Sequence, residues 1–213
     1  MKRRQVLKNL GLGAGFLVVT PTIMNLLQSC TNEPEFIPLF ITKGEGYALR
    51  RIVDLIIPND DKVPGAVAVG VHSFIDSYWN SVIPVEQQGL VKVGFKVLAD
   101  KFRSTFEKEL EAGKPEEFDQ LLSQYLKTTE EQQKAYGKKM EKFYEAYEKD
   151  PTTQPDADAS IFSLLSNVRG MTIWAWKTSE QIGENVLWYD PVPGQQKGCI
   201  PLSEAGNGKV MAL

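Results

Sequence analysis

Between Glu45 and Trp176 the apolar side chains recur at three- and four-residue intervals, and nowhere do they alternate in the period of a half-buried strand. That regularity restricts the chain to helices packed on helices. The first stripe, Leu49, Ile52, Val53 and Ile56, falls at i, i+3, i+4 and i+7 and predicts a helix over 45–57, which Pro58 stops. The turn-rich string NDDKVPGAVAVG follows, then a short helix over 73–82 with Ser73 as its N-cap. Pro84, at a first-turn position, opens a long helix over 85–112, where Leu90, Phe95, Leu98, Phe102, Phe106 and Leu110 keep the period. A helix over 116–126 turns Phe118, Leu121, Leu122 and Tyr125 inward. Thr128 and Glu131 have capping-box spacing and start a charged helix reaching 149. Its stripe is Tyr136, Met140, Phe143, Tyr144 and Tyr147. A basic, aromatic stripe also suits a membrane surface, but core packing is the commoner use.

The last helix, 160–176, reads SIFSLLSNVRGMTIWAW and is apolar on most faces. That places it centrally, in its own bundle or against a partner. After Lys177 glycine and proline recur, which predicts loop with room for one short hairpin, around 186–189 and 199–202. The fold class is therefore mainly α: a single helical domain, 45–213, of about six helices with a loop-rich C-terminal segment.

The N-terminus is of another kind. MKRRQVLKNLGLGAGFLVVTPTIMNLLQSC has a basic start, an apolar glycine-bearing run over 10–27, and then LLQSC. This is the layout of an export signal, to be excluded from fold reasoning. Arg3 and Arg4 followed by Val6, Leu7 and Lys8 resemble the twin-arginine (Tat) signal, an address rather than an anchor. Leu27 to Cys30 resembles a lipobox, with Gln28 where a small residue is usual. A transmembrane anchor fits less well, because the run is near the lower length limit and holds Gly11, Gly13, Gly15, Pro21 and Asn25. Those glycines lack the strand and helix of a dinucleotide fingerprint. Residues 1–29 are thus read as a Tat/lipoprotein signal peptide, with Arg3 and Arg4 as the export signal. Residues 30–44, broken by Pro34 and Pro38, are read as a tether lipidated on Cys30. The expected location is a periplasm-facing membrane lipoprotein.

Removing the leader leaves 184 residues, enough for one domain with a sizeable core. The leader holds four basic and no acidic residues, so the chain's net charge of −3 becomes −7 on cleavage. An acidic chain without a basic patch does not suit nucleic acid. His72 is the one histidine, and its position between a glycine-rich loop and a helix suggests a capping or surface residue. One histidine and two cysteines cannot fill a structural zinc site. No phosphate loop is present, and Gly206-Asn207-Gly208-Lys209 is too short for one. No catalytic, cofactor-binding or metal-binding residues are assigned. With Cys30 acylated, Cys199 is an unpaired thiol, which suggests pairing between chains or a reactive group, or else a buried small hydrophobe. The Tat route carries folded cargo, so a leader on a chain without a visible cofactor site suggests a second polypeptide exported as passenger.

Two strings carry a resemblance. Ile52 to Gly65 (IVDLIIPNDDKVPG) with Ala66 to Asp76 (AVAVGVHSFID), and Thr178 to Leu202 (TSEQIGENVLWYDPVPGQQKGCIPL), resemble the end signatures of the gluconate 2-dehydrogenase subunit 3 family. His72 stands where that pattern has proline. The resemblance implies a non-catalytic small subunit that assists folding and export of a large flavoprotein of the glucose-methanol-choline oxidoreductase type. FAD is then expected in that partner, which oxidises a sugar, sugar acid or polyol, and a cytochrome c subunit often takes the electrons. The rival readings are a free-standing periplasmic lipoprotein that binds a ligand or envelope protein, and an enzyme in its own right. The C-terminal segment is the candidate partner interface. Its apolar residues must find cover on this domain or on another chain, and the turn at Asp190 to Gly194 is stiffened by Pro191 and Pro193. Trp188 and Tyr189 are anchor-type residues, with Pro191, Pro193, Gly194 and Cys199 beside them.

Overall fold

Thr42 sets where the first helix begins. Its hydroxyl accepts the Glu45 N–H while the Glu45 carboxylate accepts the Thr42 N–H, a closed capping box. Helix α1 therefore runs Lys43–Ile56. The computed structural model describes residues 36–188, 194, 199–201, 203–204 and 206–211. Helix α2, Val71–Ser81, starts earlier than the sequence suggested, because Gly70 with φ 76° is its N-cap and Ser73 is not. Helix α3 spans Val85–Phe106 and stops at Glu107, which takes a left-handed φ of 56°. A separate 3₁₀ turn, Leu110–Ala112, then returns Leu110 to the core. Helix α4 is Pro115–Leu126, and Phe118, Leu121, Leu122 and Tyr125 are all buried. Helix α5, Glu130–Tyr147, is capped by Thr129 with Gln132 reciprocating, one register later than Thr128 and Glu131.

Asp156 accepts the Ala159 N–H and starts α6, Ala157–Thr178. A further helix, α7, Glu180–Asn185, stands where loop was expected. Its cause is Ile182, fully buried, whose carbonyl takes the N–H groups of Val186 and Leu187. Among the described residues there are seven α-helices and no strand. Trp188 makes an isolated parallel bridge to Met211; of the hairpin expected around 186–189 and 199–202, Tyr189 and Leu202 lie outside the described residues. The mainly α reading stands.

Helix α6 is the axis. It packs on α1, α2, α3, α4, α5 and α7, and Ile161, Leu165 and Val168 are at most 1% exposed. Polar ties orient its neighbours. The Tyr125 hydroxyl donates to Asp158 at 2.6 Å; burial first, and then this bond, pushes its phenol pKa up. Lys139 donates to Asp156 at 2.7 Å, joining α5 to the start of α6.

Two loops explain the first signature string. The Asp76 carboxylate, 1% exposed, accepts the N–H groups of Leu39, Phe40 and Ile41 at 2.6, 3.1 and 3.2 Å. That lays residues 39–41 on the domain, with Ile41 buried and the Phe40 ring 6.3 Å from Trp79. Ile37 and Leu39 stay exposed. In the second loop Asp60 accepts from Lys62 and Val63, which holds its carboxyl below the usual range. Asn59 accepts from Gly65, and Trp176 of α6 donates its indole N–H to Pro64 at 2.9 Å. A Cβ on Gly65 would fall on the backbone of Ile57, Pro58 and Asn59. Gly65→Ala is therefore expected to cost about 2 kcal/mol, the usual overpacking loss, and to lower the melting temperature by roughly 4–8 °C. An unchanged thermal transition would show that the loop can open without cost.

Candidate partner-docking surface

Helix α6 carries more apolar surface than its six neighbours cover. Ser160, Ser163, Asn167, Met171 and Trp174 recur every three or four residues and form the floor of a groove of about 610 Å³. Leu90 and Val91 of α3 line one side, and Met140, Phe143 and Tyr144 of α5 line another. Tyr78 and Trp79 of α2 also contribute. The α5 stripe named from the sequence is thus divided between core and groove. Met140 and Phe143 are buried, whereas Tyr144 is exposed and its hydroxyl lies 3.3 Å from the Ser163 hydroxyl.

Not one Asp, Glu, Lys, Arg or His lines this groove. Its polar groups are hydroxyls, amides and indole N–H groups, which suit an uncharged surface. Beyond it the apolar surface continues. Trp174 is 43% exposed, with Ile173 and Phe74 at similar levels. The Trp174 ring is centred 5.4 Å from Phe74 and 6.0 Å from Tyr78, an aromatic knot on the outside of the molecule. Contiguous exposed apolar surface of this kind marks an interaction site more often than chance exposure.

His72 is not a surface residue: it is 8% exposed, on the first turn of α2, and is not among the groove residues. Among the described residues no three His, Cys, Asp or Glu side chains gather as metal ligands. No helix among them is long and apolar enough to cross a membrane.

Of the residues named from the sequence, Arg3, Arg4, Cys30, Tyr189, Pro191 and Pro193 lie outside the described ones. Trp188 is half-buried; its N–H donates to Val210 at 2.8 Å, and its ring lies against Gly206, which leaves no room for a side chain there. Lys209 donates to the Asn185 carbonyl nearby. Residues 206–211 therefore return onto Trp188 and cover part of it. Gly194 has φ 63° and is exposed. Cys199 is an exposed free thiol, which removes the buried-hydrophobe reading of it.

The aromatic groove went unnamed in the sequence. Its signal was the excess of apolar faces on the last helix, an excess that does not say which face a fold leaves open.

No curated protein and no solved structure matches the chain significantly. The family model for gluconate 2-dehydrogenase subunit 3 matches residues 43–194, more than two thirds of the chain. The match takes in Asp76, the Gly65 loop and the whole groove, and by its extent the chain belongs to the gluconate 2-dehydrogenase subunit 3 family.

Proposed function

We propose that this chain is the accessory small subunit of an FAD-dependent dehydrogenase, and that the redox step takes place in a large flavoprotein of the glucose-methanol-choline type. The observation that carries this is the uncharged aromatic groove on a member of a family named for a dehydrogenase subunit. A subunit seen alone leaves its contact surface in water, and Trp and Tyr are the side chains that most often anchor such surfaces. In this reading the leader serves both chains. Arg3 and Arg4 direct the folded pair through the Tat route, and Cys30 holds it at a periplasm-facing membrane. The substrate is a sugar, sugar acid or polyol, and a cytochrome c subunit receives the electrons.

Isolation of the affinity-tagged full chain from membranes in mild detergent tests the assembly. A flavoprotein with bound FAD should accompany it in fixed stoichiometry. Purification of the chain alone, under conditions that preserve dehydrogenase activity in the membranes, would contradict the reading.

Anchoring gives a second expected result. Each buried CH₂ contributes only about 0.8 kcal/mol, so stable attachment needs more than one acyl chain. Lipoprotein acylation of Cys30 supplies them. Cys30→Ala should move the protein to the soluble fraction or leave it as an uncleaved precursor. Membrane retention at mature size in that variant would place the anchor elsewhere.

A further inference from the structure

We infer that the groove on α6 seats a helix of the flavoprotein partner, about three turns long and uncharged on the face it presents. This rests on the accessory-subunit reading and specifies where and how the partner is held. The first ground is the spacing of the floor. From Ser163 to Trp174 the open stripe follows one face of α6 over about 16 Å, at 1.5 Å per residue, with Ser160 buried at its inner end. A helix laid along such a stripe, with side chains at i, i+3, i+4 and i+7, is the standard way an amphipathic segment fills a groove between helices.

The second ground is how the floor is made. Ser160, Ser163 and Asn167 keep its first half low, and Met171 and Trp174 raise its far end. A partner helix can therefore approach closely at one end and meet a large aromatic anchor at the other. Met140 and Met171 line the groove as well, and methionine adapts its shape to an apolar partner.

Charge is the third ground. With no ionisable carboxylate, amine, guanidinium or imidazole in the lining, any charge on the contact face would be desolvated without a partner. The seated face must carry aliphatic, aromatic or small polar residues. Extent separates a protein segment from a small ligand. Phe74 and Ile173 continue the apolar surface outside the groove, and an occupant of about 610 Å³ would leave both in water.

Photo-crosslinking in the intact complex tests this. A benzophenone amino acid replaces Asn167, an exposed floor position, in the tagged full chain. The expected cross-link joins it to the flavoprotein, in a peptide whose apolar residues repeat every three or four positions. Trp174→Ala should weaken the association on the order of thirtyfold or more, as for an interface anchor. Asn167→Arg, which disturbs no buried side chain, should do the same with an unchanged thermal transition. Cross-links only to a second copy of the chain, to its own C-terminal segment, or to a non-helical stretch of the flavoprotein would overturn the inference. So would wild-type association in both variants. If the wild-type chain carries no flavoprotein, the accessory-subunit reading and this inference fall together. If the wild type carries it and the variants do too, only the groove is wrong.

Discussion

Asp76→Ala should lower the unfolding free energy by about 3–5 kcal/mol and the melting temperature on the order of 10 °C. The carboxylate is 1% exposed and serves three successive backbone N–H groups, those of Leu39, Phe40 and Ile41. Removing it strands three donors at the edge of the core, and hydrogen bonds to a charged acceptor contribute about 1.5–3 kcal/mol each. Water will reach the outer donors, because Leu39 is exposed, which is why the three do not add in full. Asp76→Asn keeps one acceptor oxygen and should show roughly half the loss. The loss should be accompanied by cleavage of the 37–42 segment by added protease, since Asp76 is what holds that segment down. A transition within about 1 kcal/mol of wild type for the Ala variant would mean that the segment is held by Ile41 and Phe40 packing instead.

The helices were legible because each buries a stripe with its own period. Phe118, Leu121, Leu122 and Tyr125 are inward as their spacing required. Helix ends were less legible. Gly70 and Glu107 take left-handed backbone angles, and these positions, rather than side-chain patterns, decide where α2 starts and α3 stops. Helix α7 was missed because six residues give too little periodicity, and its warrant, the burial of Ile182, is a tertiary contact.

The candidate site was less legible than the fold. Sequence reasoning looked for apolar residues without a helix to sit on and so chose the tail, of which Tyr189, Pro191 and Pro193 lie outside the described residues and Trp188 lies against Gly206. The groove is made of residues that looked like ordinary core. Tyr144 and Met140 share one stripe, yet Tyr144 is 38% exposed and Met140 is 8% exposed. Which member of a stripe is left open depends on how far apart two neighbouring helices sit on α6, a quantity that no single helix encodes. The first signature string, by contrast, has a structural role: Pro64-Gly65 closes a turn onto Trp176, and Asp76 clamps the segment that enters the domain.

Export of the partner in trans is the claim on which the account turns. If the leader serves both chains, changing it should displace an enzyme whose own sequence is untouched. Arg3→Lys combined with Arg4→Lys keeps the positive charge of the segment and alters only the guanidinium pair proposed as the Tat signal. Lysine is a point charge without the planar fork of arginine, so the exchange is not conservative where a receptor reads the pair. The measurement is FAD-dependent dehydrogenase activity and flavoprotein mass in the periplasmic and cytoplasmic fractions of cells carrying that double variant. The account predicts that both chains are retained in the cytoplasm, with periplasm-facing activity reduced to a few per cent of wild type or less. Normal activity outside the cytoplasmic membrane, with only the small chain retained inside, would contradict it.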